Sequence, residues 1–141
     1  MAIVGLNNKV GVKIATTDVS DHVSAVTLTR NFDELEVSAM GDFSHRFVKG
    51  LEASTVTLDF FNDESTTTSI TALLQSNWGQ TVTLTLLQDK TSAVSATNPV
   101  YSMSILVNKT TDINGKVSEL STQSVTFTVN SVTTVSPTGT F

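Results

Sequence analysis

Cysteine is absent from all 141 residues, which excludes disulfide staples, thiolate nucleophiles and cysteine-ligated metals. Charge is sparse: 13 acidic residues stand against 8 basic ones, a net charge of −5. Such a balance disfavours tight binding to nucleic-acid phosphates, which needs a positive patch to release counterions. Aromatic residues make up only 6% of the chain, with one Trp and one Tyr. No apolar run approaches the roughly 20 residues of a membrane-spanning helix. Met1 to Gly11 lacks the basic and long apolar regions of a secretory signal. The phosphate-cradling patterns G-x-G-x-x-G and G-x-x-x-x-G-K-[ST] are missing, as is the hydrolase elbow G-x-S-x-G. No cofactor and no membrane anchor are expected, and an enzyme is the least favoured class.

What the chain has instead is hydroxyls: 24 Thr and 17 Ser. Val26-Thr27-Leu28-Thr29, Val56-Thr57-Leu58-Asp59, Val82-Thr83-Leu84-Thr85 and Val125-Thr126-Phe127-Thr128 repeat one alternation. A period of two describes a strand with one apolar and one polar face. The copies start 30, 26 and 43 residues apart, too irregular for a solenoid. The length suits one domain with a real core. The expected fold is mainly β: a β-sandwich or barrel of antiparallel strands with one short flanking α-helix.

Within that single domain, 1–141, residues 1–11 read as an N-terminal arm. Strands are expected around Val12 and Ile14, then Val23 to Leu28. Leu35 to Ala39 alternates and runs into the turn Met40-Gly41-Asp42. Phe43 to Val48 follows, and Gly50 interrupts before a strand at Ser54 to Phe61. Ile70, Leu73, Leu74 and Trp78 fall on one helical face, which predicts a helix over about 66–78. Asp63, Ser65 and Thr66 to Thr68 are its capping candidates, and Gly79 its stop. Strands resume at Thr81 to Leu87, Tyr101 to Val107 and Ser124 to Val129. Asn114-Gly115 marks a turn, and residues 131–141 read as a polar C-terminal arm ending in an isolated aromatic.

Candidate chemistry is thin. His22 and His45 are the two histidines. Neighbours on a strand point to opposite faces, so neither Asp21-His22 nor Ser44-His45 is arranged for proton transfer. The acids Asp33, Glu34, Glu36 and Asp42, and later Asp59, Asp63 and Glu64, do not match a calcium loop. They read as solvated loops or as a lining that repels phosphate. Arg30, Arg46 and Lys49 are expected to pair with carboxylates. Phe60 and Phe61 cannot share a face, so one belongs to the core. Lys13, Arg30 and Lys90 can serve as edge gatekeepers, whereas Thr81 to Leu87 and Ser124 to Asn130 carry no basic residue, so one or both are expected to pair across a subunit boundary. Thr81, Thr83, Thr85, Thr126 and Thr128 are the seam candidates.

The stretches Val12 to Ile14, Asp18 to Val23, Val26 to Arg30, Asp33 to Asp42, Gly50 to Phe60, Ala93 to Tyr101 and Gly115 to Val129 together resemble the tail tube (major tail) proteins of long-tailed bacteriophages, especially those of actinobacteria. The resemblance implies six subunits closing into a ring, with rings stacked around a lumen that holds a tape-measure protein and later passes double-stranded DNA without binding it specifically. It implies a homo-oligomer that meets tail terminator and baseplate or tail-tip proteins. It places the chain in the virion tail, and in the host cytoplasm during assembly. On this likeness the 35–49 segment is an inter-ring hairpin or loop, with contact candidates Leu35, Val37, Met40, Phe43 and Phe47. The arms 1–11 and 131–141 cover neighbouring subunits. Glu34, Glu36 and Asp59 are candidates for an acidic lumen wall. The alternative is a capsid or tail decoration protein with an immunoglobulin-like sandwich, which would bind a preformed lattice. A carbohydrate-binding module would want aromatics on one sheet face, and only Trp78 and Tyr101 stand out besides phenylalanine.

Overall fold

The computed structural model describes residues 8–63 and 69–141. The strands are β1 (Gly11–Ile14), β2 (Thr17–Asp18), β3 (Val23–Thr29), β4 (Phe32–Glu36), β5 (Phe47–Glu52), β6 (Thr55–Phe61), β7 (Thr81–Leu87), β8 (Val100–Leu106), β9 (Thr122–Val129) and β10 (Thr134–Ser136). One short helix, α1 (Ile70–Ser76), lies between β6 and β7. The fold is therefore mainly β, of a general β-sandwich-like kind.

All pairings are antiparallel, and the main sheet runs in the order β2-β1-β7-β8-β9-β6-β3, with β10 added to β8. β8 is its corner. It pairs with β7 along its whole length, but with β9 only at Ile105↔Val129 and Leu106↔Thr128. The sheet thus divides into two leaves. The period-two pattern sends Val12, Ile14, Val82, Leu84, Leu86, Met103 and Ile105 inward from one leaf, and Val56, Leu58, Phe60, Val125, Phe127 and Val129 from the other, into one core. The barrel expectation fails on topology: β2 and β3 end the sheet without meeting, so it stays open.

The helix is shorter at its C-terminal end than its periodicity suggested. Positions 66–68 of the expected span, with the capping candidates Ser65 and Thr66 to Thr68, lie outside the described residues, as does most of the expected arm, 1–7. The cap is Ser69, whose hydroxyl accepts from the Ala72 N–H at 3.4 Å. Ile70 and Leu74 enter the core, whereas Trp78 lies past the helix end and is exposed. Gly79, at φ +77°, takes the left-handed turn that ends the element.

Two further expectations are revised. Gly50 does not interrupt a strand; it lies inside β5, opposite a register shift between Phe32 and Glu34. A side chain there would meet the Asp33 carbonyl oxygen at 2.8 Å, so the bulge requires glycine. The 131–141 tail is not a featureless arm either. Its β10 pairs with β8, and the Phe141 ring lies on Gly11, within 2.8 Å of where a β-carbon would stand. The Lys13 ammonium sits 4.5 Å from the centre of that ring. The final aromatic is thus not isolated but packed onto β1 of its own chain.

Candidate functional site

β4 and β5 form a separate two-stranded sheet, paired to each other and to no other strand. Leu35 faces Val48 across the pair, while Glu34 faces Lys49 and Glu36 faces Phe47. The ladder continues outward, with the Val37 N–H donating to the Arg46 carbonyl at 2.8 Å. At the tip the Asp42 N–H donates to the Ala39 carbonyl at 3.0 Å, the Ala39 N–H donates to Asp42 Oδ2 at 2.7 Å, and Gly41 turns at φ +98°. The Arg46 N–H donates to the Ser38 hydroxyl at 2.8 Å, and the Arg46 guanidinium sits 3.7 Å from Asp42. The tip is a defined turn held by one main-chain bond and by main-chain N–H groups donating to the Asp42 and Ser38 side chains.

The root is equally well defined. The Ala53 N–H donates to the Asn31 carbonyl at 2.7 Å, closing the base. The buried Ser54 hydroxyl donates to Glu52 Oε1 at 2.9 Å and accepts from the Asn31 N–H at 3.3 Å. Glu52 Oε2 accepts from the Thr133 N–H at 3.2 Å, tying the hairpin to the strand segment that leads into β10. Fixed at both ends, the hairpin reaches roughly 20 Å from its root at about 3.3 Å per residue.

On this hydrogen-bonded ribbon every contact candidate is exposed. Met40 and Phe43, at 104% and 107% relative exposure, touch essentially nothing, and Leu35, Val37 and Phe47 are about half exposed. Phe32, Val48 and Leu51 are exposed as well, Val48 beside Leu35 on one face of the ribbon and Phe32 under the Lys49 ammonium on the other. Large apolar side chains exposed together on one element are a common mark of an interaction surface. Burying side chains of this kind is worth about 1.5–3 kcal/mol each.

The three acidic candidates are not brought together within one chain. Glu34 and Glu36 lie on the hairpin, where His45 Nδ1 pairs with Glu36 Oε1. Asp59 lies on the outer face of β6 between Ala25 and Ser124. Its Oδ1 is covered and has no hydrogen-bond partner. His22 finds Asp63, with Nε2 2.8 Å from Oδ2, rather than its neighbour Asp21. Among the described residues no group of acids and histidines has the geometry of a metal site.

The seam candidates are divided between the leaves, Thr81, Thr83 and Thr85 on β7 and Thr126 and Thr128 on β9. β9 meets β8 only at Thr128 and Val129 and is bonded on the β6 side alone from Thr122 to Phe127. β7 pairs with β8 along its whole length and with β1 from Leu84 to Leu87. Thr81 and Thr83 are exposed on the outer face and Thr85 is half-buried. Thr126 and Thr128, also exposed, stand in register with Thr57 and Thr55 of β6, and the Thr57 and Thr126 hydroxyls meet at 2.9 Å. β3 continues the rows with Thr27 and Thr29. The β3–β6–β9 leaf thus has a threonine-lined outer surface with one hydroxyl pair across it, while Thr81 and Thr83 lie on the outer face of the other leaf.

Among the described residues, one open edge that sequence reasoning missed is β3. It ends the sheet order, and Val23 to Thr29 carries no charge to guard it. The same test that singled out β7 and β9 would have found it, had Arg30 not been read as its guard. Beside β3 the two leaves part in a groove of about 350 Å³, walled by Val10, Val26, Leu28, Leu86 and Tyr101 with Arg30 at its rim.

Lys90 and Ser20 order the β1–β2 end. Burial pushes the Asp18 carboxyl up, but the Ser20 hydroxyl and N–H and the Lys90 ammonium, 3.6 Å away, outweigh it and hold the group below its usual range. Asp89 is likewise held low, first by the Thr91 hydroxyl. Both are turn-forming carboxylates.

No protein-family model and no curated protein sequence matches the chain.

Proposed function

We propose that this chain is a structural subunit of a long-tailed bacteriophage tail tube, assembling into stacked hexameric rings around a lumen. The observation that carries the reading is the projecting hairpin, which holds Met40 and Phe43 fully in solvent at the end of a hydrogen-bonded ladder. An isolated domain gains nothing from such an element; a stacked assembly gains an apolar plug in each neighbour. The unguarded β3 edge supports lateral association by main-chain pairing. A smooth threonine face supports a channel wall, because short neutral hydroxyls offer passing DNA no cationic clamp. On this reading the partners are further copies of the chain, a tape-measure protein, and terminator and baseplate or tail-tip proteins, in the virion tail.

Negative-stain electron microscopy of the purified chain tests the proposal. Hollow tubes or rings of uniform bore are expected. A chain that stays monomeric at high concentration, or binds only to preformed capsids, overturns it in favour of a decoration role.

A further inference from the structure

We infer that the groove beside β3 is the receptor for the hairpin tip of a second copy of this chain, an inference that rests on the assembly reading above and names the surface it uses. The groove is the open mouth between the two leaves. Val26 and Leu28 of β3 form one wall, Leu86 of β7 and Tyr101 of β8 the other, and Val10 the floor. Val26, Leu28 and Tyr101 pack on the core from one side only, so part of their apolar surface is left over for an occupant.

Three properties match the tip to this groove. The first is shape: Met40 and Phe43 project from a single tight turn, and a cleft of about 350 Å³ is on the scale of an aromatic ring with a neighbouring thioether chain. The second is chemistry. Tyr101 offers a ring face to Phe43 and a sulfur contact to Met40. The third is charge. From Phe32 to Glu52 the hairpin carries five acids against two bases, while the groove lining contains Arg30 and no acid. Arg30 makes no ion pair among the described residues and is free to meet Asp42 or the Phe43 ring.

The occupant must come from another molecule. Arg30 and Asn31 lead directly into β4, so the groove stands at the hairpin's own root. The ladder holds the tip roughly 20 Å away. Bending it back would break the Val37–Arg46 pairing and the Glu52 and Ser54 anchors.

A chain without native cysteine makes the test clean. A Ser44→Cys copy, which keeps both Met40 and Phe43 and carries the thiol at the exposed next position, is mixed with a Gln88→Cys copy, whose exposed side chain lies on the groove rim, and treated with a short thiol–thiol cross-linker. A covalent dimer is expected. It should be lost when Ser44→Cys is paired instead with Ile113→Cys, an exposed position on the loop between β8 and β9. Both mixtures are imaged by electron microscopy before cross-linking. Tubes without the 44–88 product overturn the groove and leave the tube reading standing. The 44–88 product without rings or tubes supports the groove and removes the tube reading. Equal yields from the 44–88 and 44–113 pairs also overturn it.

Discussion

The β6 strand and the β4–β5 hairpin carry the same alternation and meet opposite fates. Val56, Leu58 and Phe60 are fully buried, whereas Leu35, Val37 and Phe47 stand in solvent. β6 is flanked by β3 and β9 and faces the other leaf, so its apolar side has something to lie on. β4 has one neighbour and no opposing layer. A two-stranded ribbon cannot bury its own faces in water and needs a third element to do so. Alternation therefore specifies a strand, and the layer opposite decides whether its apolar face is core or interface.

The largest effect that separates the two regions is truncation of an aromatic in each. Phe127→Ala, in the core, should cost about 3–5 kcal/mol of unfolding free energy in a urea titration. Phe43→Ala at the tip should change it by less than about 0.5 kcal/mol, while suppressing assembly seen by sedimentation. Similar losses of stability from both would mean that the hairpin is part of the core after all.

A sharper cut comes from Gly50→Val, whose side chain would collide with the Asp33 carbonyl and spoil the bulge. Hydrogen exchange should show faster exchange at Leu35 and Val48, with the β6 amides unchanged. Loss of protection in both regions together would show that hairpin and sandwich open as one unit.

The smallest effect lies at the β1–β2 end. Because the Asp18 carboxyl is held low in the folded chain, its stabilising contribution is present above the unfolded-state pKa and fades as pH falls through the folded one. Asp18→Asn should flatten the acid side of a melting-temperature profile below about pH 4 and leave hairpin-dependent assembly unchanged at neutral pH. An unaltered acid limb would mean that the carboxylate's bonds to Ser20 and Lys90 are too solvated to matter.

Much of this arrangement is legible residue by residue. The alternation of Val82 to Leu86 and Val125 to Val129 states both strand and inward face, because side chains on a pleated strand change sides at every step. The turn at Ala39 to Asp42 is legible for the same local reason: Gly41 tolerates a positive φ and Asp42 can bond back to the main chain. Phe60 in the core with Phe61 outside follows from parity alone. The exposure of Phe43 is not legible, since its neighbours in sequence do not say whether another layer lies over it. Nor is the seam. Thr81 to Leu87 looks like an unguarded edge until β1 and β8 are seen on either side.

Local pattern thus determined a threonine-rich, two-faced β framework without cysteine and without a phosphate-cradling glycine motif. Those properties depend on residue type and on spacings of a few residues, which the chain carries in itself. Strand order, the open β3 edge, the groove between the leaves and the solitary hairpin came only from the tertiary structure. Each depends on which segments far apart in sequence lie side by side, and many strand orders would satisfy the same alternation equally well.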